Sequence, residues 1–149
     1  MKIKAFIAAL ALSACSPPAP NETAPPPAAA AAPEVANEAM LAALTPLVSA
    51  AIGQPVSFTI DTVRVDNDWA WLVVQPQAAD GSPLDWSQTS FASAYANGVL
   101  GDNGATYALL RREAGEWRVV DHVIGPTDVA YIDWPARHGA PPELLGLAE

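Results

Sequence analysis

Between residues 40 and 52 the large apolar side chains fall on a helical stripe. Leu41, Leu44, Val48 and Ile52 recur at intervals of three and four, with Met40 and Leu47 beside them. That spacing places side chains on one face of a helix with 3.6 residues per turn. Glu34 or Asn37 starts the helix, and Gly53 followed by Pro55 stops it. Pro46 lies inside. It has no backbone donor and crowds the preceding turn, so the pattern predicts a kink, or two short helices with Thr45 capping the second.

After Pro55 the period changes to two. Val56, Phe58 and Ile60 share one side of a strand, whereas Val63 and Val65 take the opposite phase. A bulge near Asp61-Thr62 reconciles the two halves. Asp66-Asn67-Asp68 reads as a turn. Trp69 to Gln75 returns as a second strand, apolar on both sides and therefore central. Asp80-Gly81-Ser82-Pro83 is a loop. Residues 84–104 carry mixed signals. Phe91, Tyr95 and Val99 are four apart, as in a short helix, but Gly98, Gly101 and Gly104 punctuate the segment. The expectation is a crossing over one face or edge of the sheet.

Residues 105–112 and 117–124, joined by Glu113-Ala114-Gly115-Glu116, form the clearest hairpin. Strict alternation places Trp117, Val119, Asp121 and Val123 on one face and Arg118, Val120, His122 and Ile124 on the other. Thr127 or Asp128 is expected to cap a short helix through Tyr131 and Trp134, before Pro135, Gly139, Pro141 and Pro142 interrupt regular structure. Leu144, Leu145 and Leu147 then make a closing turn on the core.

This element order predicts an α+β fold: an N-terminal helix on a curved antiparallel sheet of about four strands, with a short C-terminal helical segment. In element order alone it resembles cystatin-like and nuclear-transport-factor-like domains. The hairpin followed by Gly125-Pro126-Thr127-Asp128-Val129, Trp134 and Pro141 resembles uncharacterised bacterial exported proteins, a likeness that implies no activity.

The first 33 residues change the picture from a bare domain to an exported one. Lys2 and Lys4 precede an eight-residue apolar run, Ala5 to Leu12, and then Leu12-Ser13-Ala14-Cys15. A basic start, a short apolar centre and small residues describe an export signal. With the cysteine added, the stretch resembles the lipobox of bacterial lipoproteins. That resemblance implies cleavage before Cys15 and acylation of its thiol and new amino group, in the manner of palmitate-bearing envelope proteins. Residues 1–14 are thus expected as signal peptide, 15–33 as lipidated cysteine plus linker, and 34–149 as one domain. Seven of the 18 residues from Ser16 to Pro33 are proline and none is large and apolar, so the linker cannot bury enough surface to order itself. Extended, it spans roughly 50 Å. Ser16 replaces the aspartate of the family's inner-membrane retention signal, which points to the periplasmic face of the outer membrane.

Eight apolar residues fall well short of the ~20 a spanning helix needs, and no other stretch reads as that long. Without Lys2 and Lys4 the chain holds five arginines against 16 acids, a net of −11. That charge repels nucleic acid and anionic headgroups, which leaves a protein partner or a small ligand, with the lipid supplying the membrane contact. Cys15 is the one cysteine, so no disulfide or thiolate site is expected within the domain.

The chemistry-bearing residues are few. His122 and its strand neighbour Asp121 point to opposite faces and cannot form a dyad. His138 lies in a Gly/Pro-rich tail, and the spacing of the two histidines supports no metal site. Asp128 and Asp133 approach one another only if that segment is helical. The serines at 82, 87, 90 and 93 sit in no nucleophile elbow, and no phosphate-cradling loop is present. The expectations are no cofactor, no metal and no enzymatic activity. Among five tryptophans, Trp69, Trp71 and Trp117 read as core, whereas Trp86, in a loop, reads as an exposed contact. Trp86, Asp121, His122, Asp128 and Tyr131 are the candidate ligand or partner contacts. The leading expectation is an anchored interaction module; the alternative is a small-ligand pocket or cryptic hydrolase on the concave sheet face.

Overall fold

The computed structural model describes residues 31–147; the expected signal peptide, Cys15 and most of the linker lie outside the described residues. The chain forms helix α1 (Ala31–Ile52), strands β1 (Val56–Asp66) and β2 (Trp69–Ala78), the short helix α2 (Ala92–Ala96), strands β3 (Thr106–Glu113) and β4 (Glu116–Ile124), and the short helix α3 (Trp134–His138). Tight 3-10 turns occupy Trp86–Gln88, Gly101–Gly104 and Pro142–Leu145. The sheet is antiparallel with order β1-β2-β3-β4, so the architecture is the expected α+β.

Helix α1 begins at Ala31, three residues before the expected domain boundary at 34, because Ala31 and Ala32 join Pro33 in its first turn. It runs continuously through Pro46 rather than dividing there. Thr45 caps nothing; its hydroxyl donates to the Leu41 carbonyl at 2.7 Å. The segment Pro33–Ile52 is 20 residues with a hydropathy of 1.5, long and apolar enough by length and composition to cross a membrane. This corrects the reading that no second stretch approaches spanning length. Many of its apolar positions are alanine, whose small side chains leave only a short stripe of large ones. In the fold Met40, Leu44, Val48 and Ile52 are fully buried against the sheet, as in the core helix of a globular domain.

The sheet is covered on both faces. On one side Ala70, Leu72, Val74, Ala108 and Leu110 pack beneath α1, with Trp86 closing one end. On the other, Trp71 and Leu109 pack against Trp134, Ala140, Leu144 and Leu145. The C-terminal tail is therefore a third layer with its own core. Arg64 on β1 donates to the Leu144 carbonyl at 3.3 Å and helps hold it.

Two register shifts place side chains on these faces. The first falls between Ile60 and Thr62, as the phase change in β1 predicts. The second is in β4: Leu110 pairs with Val119 and Leu109 with Asp121, leaving Val120 as an extra residue. Strict alternation over 117–124 is thus corrected. Trp117 and Val119 face α1, but beyond the bulge that face is continued by Ile124, while Val120 and Val123 pack against the C-terminal layer. Asp121, opposite Leu109, is turned toward that layer too.

Candidate functional site

The end of the sheet where β3 begins and β4 finishes gathers most of the chemistry. Here the turn Gly101–Gly104 enters β3, and the loop 126–133 leaves β4. Asp102 and Asn103 both adopt left-handed backbone, at φ 46° and 53°. Two consecutive non-glycine residues in that region store strain of roughly 1–3 kcal/mol each, so the surrounding contacts must over-determine the turn. They do. Tyr107 Oη donates to Asp102 Oδ2 at 2.5 Å, and Gln75 Nε2 donates to the Asn103 carbonyl at 2.7 Å. The Gly101 amide donates to the Gly125 carbonyl, and the Gly125 amide to that of Ala105, both at 2.8 Å. A Cβ on Gly104, at φ 81°, would lie 1.9 Å from the Trp86 ring, so only glycine lets the turn close over that indole.

This explains why Trp86 is not the exposed contact that its loop position suggests. It is 7% exposed, meets Phe91 edge-on with centroids 6.0 Å apart, and fills the slot left by the missing side chain of Gly104. Asp85 caps its 3-10 turn by accepting from the Ser87 amide.

A cavity lies on each side of the 101–104 turn. One, of about 350 Å³, is lined by Gln75, Gln77, Leu84, Trp86, Tyr95, Leu100 and Asn103 among others. The second, of about 330 Å³, is lined by Asp102, Tyr107, Thr127, Asp128, Val129 and Tyr131 with Gly101 and Pro126. Tyr107 and Tyr131 stack at 5.1 Å and 23°, and Tyr131 leans on Trp71 at 4.8 Å. Burial, and then the hydrogen bond to Asp102, push the Tyr107 hydroxyl up to about 12, so it stays a donor throughout the physiological range. Two expected contacts, Asp128 and Tyr131, thus share this second cavity with Asp102 and Tyr107, which the sequence reading missed. The expected helix through Tyr131 is a run of turns, and the helix proper starts only at Trp134.

Asp121 belongs to a different cluster. Its Oδ2 accepts from Arg137 and lies 2.9 Å from His138 Nε2, while Oδ1 accepts from the His122 amide at 2.9 Å. Burial acts to raise its pKa, but the hydrogen bonds from Arg137, His138 and the His122 amide outweigh it and hold the carboxyl below its ordinary value. Arg137 also meets Asp133 at 3.4 Å. Asp121 and His122 form no side-chain dyad, as expected; the β4 bulge and α3 instead bring Asp121 to His138. Asp133 goes to Arg137 and Asp128 to the cavity, so no paired carboxylate site arises from them. Among the described residues there is no group of three or more metal-ligating side chains.

No family model, curated protein or solved structure matches the chain.

Proposed function

We propose that the protein is a lipid-anchored binding module of the cell envelope, held at the periplasmic face by an acylated Cys15 and without a catalytic activity of its own. The observation that carries the binding half is the strained Asp102-Asn103 turn, held between two cavities by contacts from β2, β3 and the end of β4. Strain kept in place at a surface cleft is characteristic of ligand sites. The apolar side chains of Val129, 45% exposed, and Ile132, 68% exposed, lie on the adjoining loop and give it a partly apolar rim. The proline-rich linker supplies reach from the bilayer, and Ser16 favours the outer membrane over the inner.

The Asp121–His138 contact is the feature that favours a hydrolase. Arg137 occupies the same carboxylate oxygen, which makes the three side chains a clasp between β4 and α3 rather than a base awaiting a nucleophile.

The test is site-specific photo-crosslinking in intact cells, with the crosslinker at Val129 and, as control, at Arg118 near the far end of the hairpin. The expected result is adducts from position 129 that are absent from 118. Cys15→Ala should move the protein from the membrane to the soluble fraction and abolish those adducts. Equal labelling at both positions removes the binding site; unchanged fractionation of Cys15→Ala removes the anchor.

A further inference from the structure

Of the two cavities beside the 101–104 turn, the first has no charged side chain in its lining, although the chain carries a net charge of −9. Its walls are of two kinds. Leu84, Leu100 and Trp86 supply apolar surface, and the side-chain amides of Gln75, Gln77 and Asn103 supply donors and acceptors. Gln75 Nε2 donates to the Asn103 carbonyl, which leaves its Oε1 open. The side chains of Gln77 and Asn103 make no hydrogen bond among the described residues. Trp86 is 7% exposed, and its ring is packed by Gly104 and Phe91, yet its Nε1 has no acceptor among the described residues. Thr106 Oγ1 is the single side-chain polar atom there that is both sealed from solvent and unpartnered. The indole N–H therefore still reaches open space, and this cavity is the space that Trp86 lines. Tyr95 also lines it, is 54% exposed, and stacks on no other ring among the described residues.

We propose that this first cavity binds a neutral N-acetylated amino sugar, with the acetamido group inside and the pyranose ring on Tyr95. The proposal deepens the binding-module reading and rests on it. Each part of such a ligand has a counterpart. The acetamido methyl needs apolar contact, which Leu84 and Leu100 give, and its carbonyl needs a donor, which Trp86 Nε1 gives. Sugar hydroxyls both donate and accept, as carboxamides do, so Gln77 and Asn103 match them. The free tyrosine ring offers an apolar platform to the C–H face of the pyranose. An uncharged lining on a strongly acidic molecule repels an anionic ligand and gives a cationic one no counter-charge. A volume of about 350 Å³ is at the small end of ligand sites and suits one sugar ring. The position fits as well. The Ile52 carbonyl accepts from the Ser90 amide, so the C-terminal end of α1 lies beside the segment that walls the cavity. The linker joins at Ala31, the other end of this 22-residue helix, about 33 Å away, which keeps the cavity clear of the point where the tether enters.

The experiment is a titration of the full-length chain in nonionic detergent, read by amide and indole N–H chemical shifts. The probes are N-acetylglucosamine, glucose and N-acetylalanine amide, the last a neutral peptide mimic that shares the acetyl group. Saturable binding of N-acetylglucosamine is expected, with shifts at the Trp86 indole N–H and at the amides of Gln75, Gln77, Leu84 and Asn103. Tyr95→Ala, at an exposed position, should raise Kd about tenfold while leaving the melting curve unchanged; Gln77→Ala provides a second variant on the polar wall. Glucose binding as tight as the acetylated sugar removes the acetamido slot, and N-acetylalanine amide binding as tight makes the cavity a peptide site. Either result overturns the proposal, as does an unmoved Trp86 indole signal, an unchanged Kd in both variants, or no saturation. Those outcomes leave membrane attachment and crosslinking untouched, so failure here is distinguishable from failure of the anchored-module reading.

Discussion

Ala114 and Gly115 both have positive φ, 50° and 84°, in the two-residue connection between Glu113 and Glu116. That geometry suits the twist of a hairpin, but an alanine is strained there, and asparagine followed by glycine is the favoured pair. Ala114→Asn is therefore expected to stabilise the domain by about 0.5–1 kcal/mol, measured as a raised denaturant midpoint at constant slope. The neighbouring Trp117, half-buried with the Arg112 guanidinium 5.5 Å above its ring, is an edge residue rather than the deep core that its strand position implies. Asp121 is the residue whose titration matters most. Its folded pKa is depressed, so the stabilisation it gives is present above the unfolded carboxylate pKa and disappears as pH falls through the lower folded value. Asp121→Asn should cost about 1–2 kcal/mol at neutral pH through the lost charge-assisted hydrogen bonds, and should flatten the acid limb of stability below about pH 4. A variant with an unchanged acid limb would show that the clasp contributes nothing in solution.

At the scale of elements, period and punctuation make most of the fold legible in the sequence. The stripe of α1, all four strands, the β1 bulge and the β3–β4 hairpin follow from positions such as Leu44, Val48, Phe58 and Val63. The β4 bulge was not legible, because Val119, Val120 and Val123 are apolar on both phases and hide the slip at Val120. Nor was the candidate site. Asp102 sits among glycines and asparagine that signal only a loop, and its pairing with Tyr107 depends on a turn closing over Trp86. Pro46 shows the opposite error, a strong local signal overridden by packing. Met40 and Leu44 before it and Val48 and Ile52 after it are all buried on the same sheet, and this shared face keeps the helix in one piece despite the missing donor. Pro46→Ala, at an exposed position, should restore a helix hydrogen bond and stabilise the domain by about 1–3 kcal/mol. Equilibrium urea unfolding measures it; a destabilised variant would mean that the helix needs the proline's geometry to lie on the sheet.

At the scale of the whole molecule, the question is whether the two cores act as one. A single sheet separates them, and β2 and β3 contribute to both: Leu72 and Leu110 to the α1 side, Trp71 and Leu109 to the other. The strands therefore couple the layers, since losing either cover exposes the apolar face of the same four strands. The C-terminal layer is held by Trp134, 3% exposed, which meets Trp71 edge-on at 5.9 Å, and by the Asp121 clasp at its other side. This layer also backs the second cavity, because Tyr131 rests on both Trp71 and Trp134. Trp134→Ala should cost about 3–5 kcal/mol, the usual range for removing a buried tryptophan. If the layers are one cooperative unit, far-ultraviolet dichroism and tryptophan fluorescence will report a single coincident transition in this variant, shifted to lower temperature. Separate transitions, with the α1 side melting near the wild-type temperature, would show that the tail folds onto an already stable sheet. In that case the cavity at its edge could be lost while the rest of the domain stayed folded.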